Sequence, residues 1–261
     1  MAIIEELLTI PRECKIDYVI PKTQIHREGE LKNRDKQLFT NYVEQIKWLY
    51  KFDETNTGIK TYNDDQREYL EVEVINVHLK EDKLRMRING ELKQEDKIER
   101  IATLIFRFIP YPIILVFEYN DLIKFYGTHI KDSLQDSEKI TLDEMISTNW
   151  IDTFEIGELS QYFIDNIQLE NLNHENFYEF YNNYITSIIQ YEGSLEVGKP
   201  VTLEISEIKE LYSEIDKIDA KMQELKNEID KESQFRRQVE LNMKASQLNK
   251  EKQKLIEKLA K

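Results

Sequence analysis

Between Val201 and Lys261 the chain has no glycine and no proline, and within it Ile208, Leu211, Ile215, Ile218, Met222, Leu225 and Ile229 recur at intervals of 3, 4, 3, 4, 3 and 4 residues. That period sets all seven along one side of a helix, and a helix so marked has to bury the seam against another helix. The next seam positions, Glu232 and Arg236, are charged, and the pattern resumes in a new phase at Leu241, Ala245, Leu248, Lys252, Leu255 and Leu259. The seam breaks near Lys231 to Gln234. One helix with a phase slip, about 85 Å long from Ile205 at ~1.5 Å per residue, is compatible with the break, and so is an antiparallel hairpin. Charge favours the hairpin, because residues 201–230 carry 4 basic and 9 acidic side chains and residues 231–261 carry 9 and 4. The same complementarity allows the seam to pair with a second copy of the chain, a homo-oligomer formed through the tail.

Gly193, Gly198 and Pro200 punctuate the approach to this tail. They predict a linker over 193–204 between an α+β domain, residues 1–192, and a coiled-coil tail or helical hairpin, residues 205–261. In the first domain Lys15–Ile20 is a short strand and Asp35–Tyr50 a helix with Phe39, Val43, Ile46 and Leu49 on one face. Leu70–Leu79 alternates as a strand whose Glu71 and Glu73 oppose Val72 and Val74. Glu95–Phe108 is an amphipathic helix stopped by Ile109-Pro110-Tyr111-Pro112, since neither proline can continue it. Ile113–Tyr119 is apolar enough for a strand buried on both faces, and Asn120-Asp121 turns it into a hairpin partner, Ile123–His129. The acidic part, 132–192, holds two helices, Ile156–Leu169 and Asn176–Tyr191. The second carries Phe177, Tyr181, Tyr184 and Ile188 at core spacing.

The net charge of -14 is unevenly placed: residues 132–200 hold 2 basic and 14 acidic side chains. A surface of that sign repels phosphate, which disfavours direct nucleic acid binding and favours either a solvated face or a basic partner. One cysteine, Cys14, excludes a disulfide framework and a multi-cysteine zinc site. No window approaches the ~18 apolar residues of a membrane span, and no basic leader precedes the first apolar stretch, so the expectation is a cytoplasmic protein.

Signals for chemistry are sparse. Seven glycines form neither GxxxxGK[ST] nor GxGxxG, and His26, His78, His129 and His174 lack metal-ligand spacing, so no cofactor or metal is expected. His78 and His129, each two residues before a lysine, read as surface histidines at strand ends. A restriction-type nuclease needs carboxylates around a divalent cation with a lysine nearby, and Glu71, Glu73, Glu118, Asp121 and Lys124 (or Lys80) supply those residue types. Alternating acids on a strand are more often its wet side, so no catalytic residue is assigned. Arg236, Arg237 and the lysines after them spread around much of a helix, as on a solvated helix, with partner pairing the next reading and nucleic acid contact behind both.

The stretch IERIATLIFRFIPYPIILVFEYNDLIKFYGTHIK, residues 98–131, resembles the signature region of an uncharacterised prokaryotic group, domain of unknown function family 4391 (DUF4391). Ile46–Phe52, IKWLYKF, is similar to its aromatic-and-lysine motif, and residues 70–79 to its strand of alternating Glu and aliphatic residues. Genes of that family lie near helicase, methyltransferase and restriction genes. The resemblance thus implies a role in antiviral defence and brings no activity with it. The expectation is a nonenzymatic accessory subunit of a defence or restriction-type complex, docking protein partners such as helicase or methyltransferase subunits through Ile208, Leu211, Ile215, Ile218, Met222, Leu225 and Ile229. The alternatives are a metal-dependent nuclease and an acidic DNA-mimic inhibitor.

Overall fold

The computed structural model describes residues 2–29, 31–85, 93–132, 140–232 and 234–259. The fold is α+β, and its contacts divide into two units, Met1–Ile188 and Ile189–Lys261. Helices are α1 (Ile4–Leu7), α2 (Lys22–Glu28), α3 (Asn33–Tyr42), α4 (Glu54–Thr57), α5 (Glu95–Phe108), α6 (Glu158–Asn166), α7 (Phe177–Val197), α8 (Ile205–Lys231) and α9 (Phe235–Leu259). Strands are β1 (Lys15–Val19), β2 (Val43–Asp53), β3 (Tyr62–Asn63), β4 (Glu68–Tyr69), β5 (Glu71–Leu79), β6 (Ile113–Tyr119), β7 (Leu122–Gly127), β8 (Ile130–Asp132), β9 (Ile140–Leu142), β10 (Ile146–Ser147) and β11 (Ile151–Asp152). None of the helices among the described residues is long and apolar enough to cross a membrane.

The first unit is built on a mixed sheet in the order β1-β2-β5-β6-β7-β10, with β11 also on β7. Among the described strands of this sheet only β5 and β6 run parallel to each other as neighbours, and α5 is the crossover that parallel strands require. Both strands are buried on both faces, as the apolar run of β6 predicts. On one face α5 lays Ile98, Ile101, Ala102 and Ile105 against Ile75, Val77, Leu115 and Phe117. Each such side chain contributes about 2 kcal/mol of apolar burial. On the other face Phe125 meets Phe163 of α6 at 5.3 Å between ring centres, and Phe52 meets Phe180 of α7 at 5.7 Å. The aromatic stripe of α7 is core, and two of its buried tyrosines donate to backbone carbonyls of the sheet: Tyr181 to Ile113 at 2.7 Å and Tyr184 to Tyr126 at 3.0 Å. The two-residue turn at Asn120-Asp121 forms as expected, with Asn120 in the left-handed region at φ 51°.

The helix expected over Asp35–Tyr50 is corrected by the structure: α3 stops at Tyr42 and the chain continues as β2. Two register shifts, between Val43 and Gln45 and between Trp48 and Tyr50, interrupt the alternation of this strand. Buried positions therefore fall at Val43, Ile46 and Leu49, three apart, which imitates a helical period.

The second unit is a helical hairpin. Chain reversal occurs between Lys231 and Phe235, where the seam changes phase, without a glycine. Its core joins Val201, Ile208 and Ile215 to Leu255 and Leu259, with Ile189 and Val197 packed alongside. The sequence expectation set a linker at 193–204; α7 runs on to Val197, the contacts divide at Ile188/Ile189, and Ile189 and Val197 pack with the hairpin core. Gly198, at φ 77°, ends α7 where a Cβ would be strained.

Candidate functional site

Glu73 lies near the start of β5 on the α5 side, and burial sets it apart. Helix α5 and the loop after it cover this side of the strand, so the face expected to be wet is dry there, and Glu73 is 2% exposed. Its backbone N–H donates to Pro112 O at 2.9 Å, pinning the loop after α5 beside it. Between that loop and the sheet is a cleft of about 310 Å³, lined by Glu73, Tyr18, Trp48, Phe108, Pro110 and Tyr111, with Gln24 of α2 also on its wall. All three segments that carry the family resemblance reach this cleft.

Neither carboxyl oxygen of Glu73 has a hydrogen-bond partner. The Trp48 indole N–H is committed to Tyr50 O at 3.0 Å. The cross-strand neighbour of Glu73 is Lys51, whose ammonium binds Asp53 at 2.9 Å and Glu71 at 3.5 Å. Burial, with the Glu71 carboxyl next in effect, raises the pKa of Glu73 to about 8, against the weaker pull of Trp48 and Lys51. Asp53, which accepts from the Thr55 hydroxyl and Lys51, is held at about 2. Within this group Glu73 therefore keeps its proton near neutral pH while Asp53 is firmly ionised.

The structure does not bring the five sequence-predicted residues together. Glu71 and Glu73 stand at the start of β5, whereas Glu118 points from β6 to the opposite face of the sheet. There Glu118 is buried, accepts from Ile4 N–H at 3.4 Å and lies 3.5 Å from His78, whose pKa it raises through that hydrogen bond. Asp121 is exposed in the β6–β7 turn, where its carbonyl accepts from the Thr153 hydroxyl and N–H. Lys124 shares the α5 face but pairs with Glu95, which also accepts from Trp150 at 3.1 Å and Tyr126 at 3.4 Å. Among the described residues no three His, Cys, Asp or Glu side chains are grouped to hold a metal ion. Cys14 is buried and its thiol is pushed up to about 11, mainly by burial, the opposite of an activated nucleophile.

His129 is not a surface histidine. It packs against Tyr178 at 5.3 Å and Tyr181 at 5.6 Å, and its ring nitrogens meet Tyr69 OH at 2.9 Å and Asn182 Oδ1 at 3.3 Å. Tyr69 OH accepts from Ile130 N–H, leaving its own proton for Nδ1, so the histidine is neutral with its hydrogen on Nε2. Burial lowers its pKa to about 4. Segments far apart in the chain meet in this cluster, and no local spacing announces it.

In the hairpin the predicted seam is graded. Ile208 and Ile215 are buried, Leu211 and Ile218 pack against them, and Met222, Leu225 and Ile229 stay half-buried. Lys252 reaches across the helix pair to Asp219 at 2.7 Å, an attraction of the sign that the two halves predict. Toward the reversal a groove lies between the helices, with Leu225 and Leu248 flanked by Lys221, Glu224, Lys244 and Glu251. On α9 Val239 and Met243, one turn apart, are 42% and 69% exposed.

Comparison with known proteins gives a match to the family model described as Domain of unknown function (DUF4391), over residues 8–255. No curated protein and no solved structure matches the chain.

Proposed function

The chain belongs to the DUF4391 family, and from that premise we propose that it is a nonenzymatic accessory subunit of a prokaryotic defence or restriction-type complex, docking a protein partner through its C-terminal hairpin. The supporting observation is the graded seam: two helices alone leave Met222, Leu225 and Ile229 half-covered, and the groove between the helices holds Leu225 and Leu248. A partner helix laid on such a face completes its burial. The helicase and methyltransferase subunits encoded near genes of this family are the partners to test. Co-expression of these subunits with the parent chain, and with a Leu225→Gln/Leu248→Gln variant whose helicity is checked by circular dichroism, followed by light scattering, measures the assembly. The parent enters a heteromeric complex and the variant, equally helical, stays out. A variant that assembles as well as the parent overturns the hairpin as the docking element.

A further inference from the structure

We propose that the cleft beside Glu73 binds a guanidinium group, a function separate from docking by the hairpin. The cleft volume of about 310 Å³ falls at the lower end of the ~300–1,000 Å³ range of ligand pockets. Among the described residues its one acidic or basic lining residue is Glu73, buried and with both oxygens unpartnered. Two acceptors in one plane are satisfied together by two parallel N–H donors, the fork that a guanidinium carries and an ammonium does not. Trp48, Tyr18, Phe108 and Tyr111 supply aromatic surface, which a flat, weakly hydrated cation favours.

Helix α5 adds a second negative element. Its 14 residues end at Phe108, so the partial negative charge of the helix C-terminus meets the cleft, and Pro110 and Pro112 offer no N–H to neutralise it. No lysine, arginine or histidine is among the described lining residues, and Lys51, the cross-strand neighbour, is taken by Asp53 and Glu71. An anion would meet a carboxyl and a helix C-terminus together, so a phosphate or carboxylate ligand does not suit the site.

Binding has a proton balance. Empty, Glu73 holds its proton; when the guanidinium enters, the carboxyl O–H bond breaks, the proton passes to solvent and the carboxylate accepts two N–H bonds. The titratable groups facing Glu73 are Glu71 of its own strand, Lys51 of β2, Tyr18 of β1 and Tyr111 of the loop after α5, while α2 contributes the uncharged Gln24. The guanidinium belongs either to a free small molecule or to an arginine side chain of a protein.

Calorimetric titration of the full chain near pH 7, in two buffers of different ionisation enthalpy, tests the site with agmatine and with an end-blocked arginine tripeptide as probes. The expected result is saturable binding at about 1 mM or tighter, with close to one proton released, and at least about tenfold weaker binding of the neutral isostere citrulline. Agmatine binding as tightly as the peptide assigns the site to free guanidinium compounds. A peptide tighter by about tenfold assigns it to a protein arginine. Glu73→Gln lowers affinity by about tenfold or more and abolishes the proton release, and Trp48→Phe, which keeps the carboxyl, weakens binding with the release intact. No saturation by either probe, citrulline binding equally, or parent binding without proton release overturns the proposal.

Discussion

Position 73 holds a carboxyl where burial leaves it no donor, and the cost is readable in pH. In the unfolded chain a glutamate titrates near ~4.3, whereas in the fold Glu73 titrates at about 8, so between those values the native state binds the extra proton. Its effect on stability is fully favourable below pH ~4.3, is lost as pH rises, and is gone above about 8. Glu73→Gln keeps the shape of the protonated acid and removes the titration. The variant should melt several degrees above the parent at pH 9 and close to it at pH 4, and identical melting at both ends would refute the buried, unpaired carboxyl. His129 has the opposite sign: its pKa, lowered to about 4, gives stability that is present above ~6.5 and lost as pH falls through 4. Replacing His129 by Gln, which retains a donor and an acceptor, should flatten that acid limb in thermal melts. Alternation of residues 70–79 predicts that Glu73 opposes Val72 and Val74, and it does. That its face is dry follows from α5 and its loop, which come from later in the chain.

Elements form where local pattern and tertiary environment agree, as in α5, whose start and stop are those the sequence predicts. β2 shows the conflict: its two bulges space buried residues like a helix, and only pairing with β1 and β5 reveals a strand. Gly127 on β7 marks a close approach of α7. A Cβ there would stand 2.6 Å from Ile185 Cδ1 and 3.0 Å from Tyr184 Cε1, and the Tyr184 ring is tethered through its hydroxyl. Gly127→Ala should cost about 1 kcal/mol net, overpacking exceeding the entropy gained from alanine. Adding Ile185→Val, which shortens the crowded side chain, should restore part of the loss in urea midpoint. In the hairpin the gradient of burial predicts a gradient of energy: Ile208→Ala should cost ~2–4 kcal/mol and Leu225→Ala less than half of that, as measured by hydrogen exchange across α8. Equal costs at both positions would show that the groove end is as well packed as the base.

Across the whole molecule the excess negative charge is concentrated in residues 132–200, of which 133–139 lie outside the described residues. If that surface steers the proposed partner, association should slow as the Debye length falls from ~10 Å at 0.1 M salt to ~3 Å at 1 M. Changing the exposed Glu155, Glu158 and Glu170 to glutamine should lower the on-rate more than it raises the off-rate, measured by surface-immobilised kinetics at several salt concentrations. Salt-independent rates would return those carboxylates to solvation alone. Elements whose signal is local are legible along the chain: the heptad seam with its break, the proline stop of α5, the apolar run of β6 and the turn after it. Repetition within a helix or strand records which side chains are apolar, and the chain needs no distant partner to display it. Long-range packing is what sets Glu73 and Glu118 on opposite sides of the sheet, gives Lys124 to Glu95, and brings Trp48, Glu73 and Tyr111 to one cleft. Those relations join positions dozens of residues apart through strand order and the crossover of α5, for which no interval along the chain carries a record.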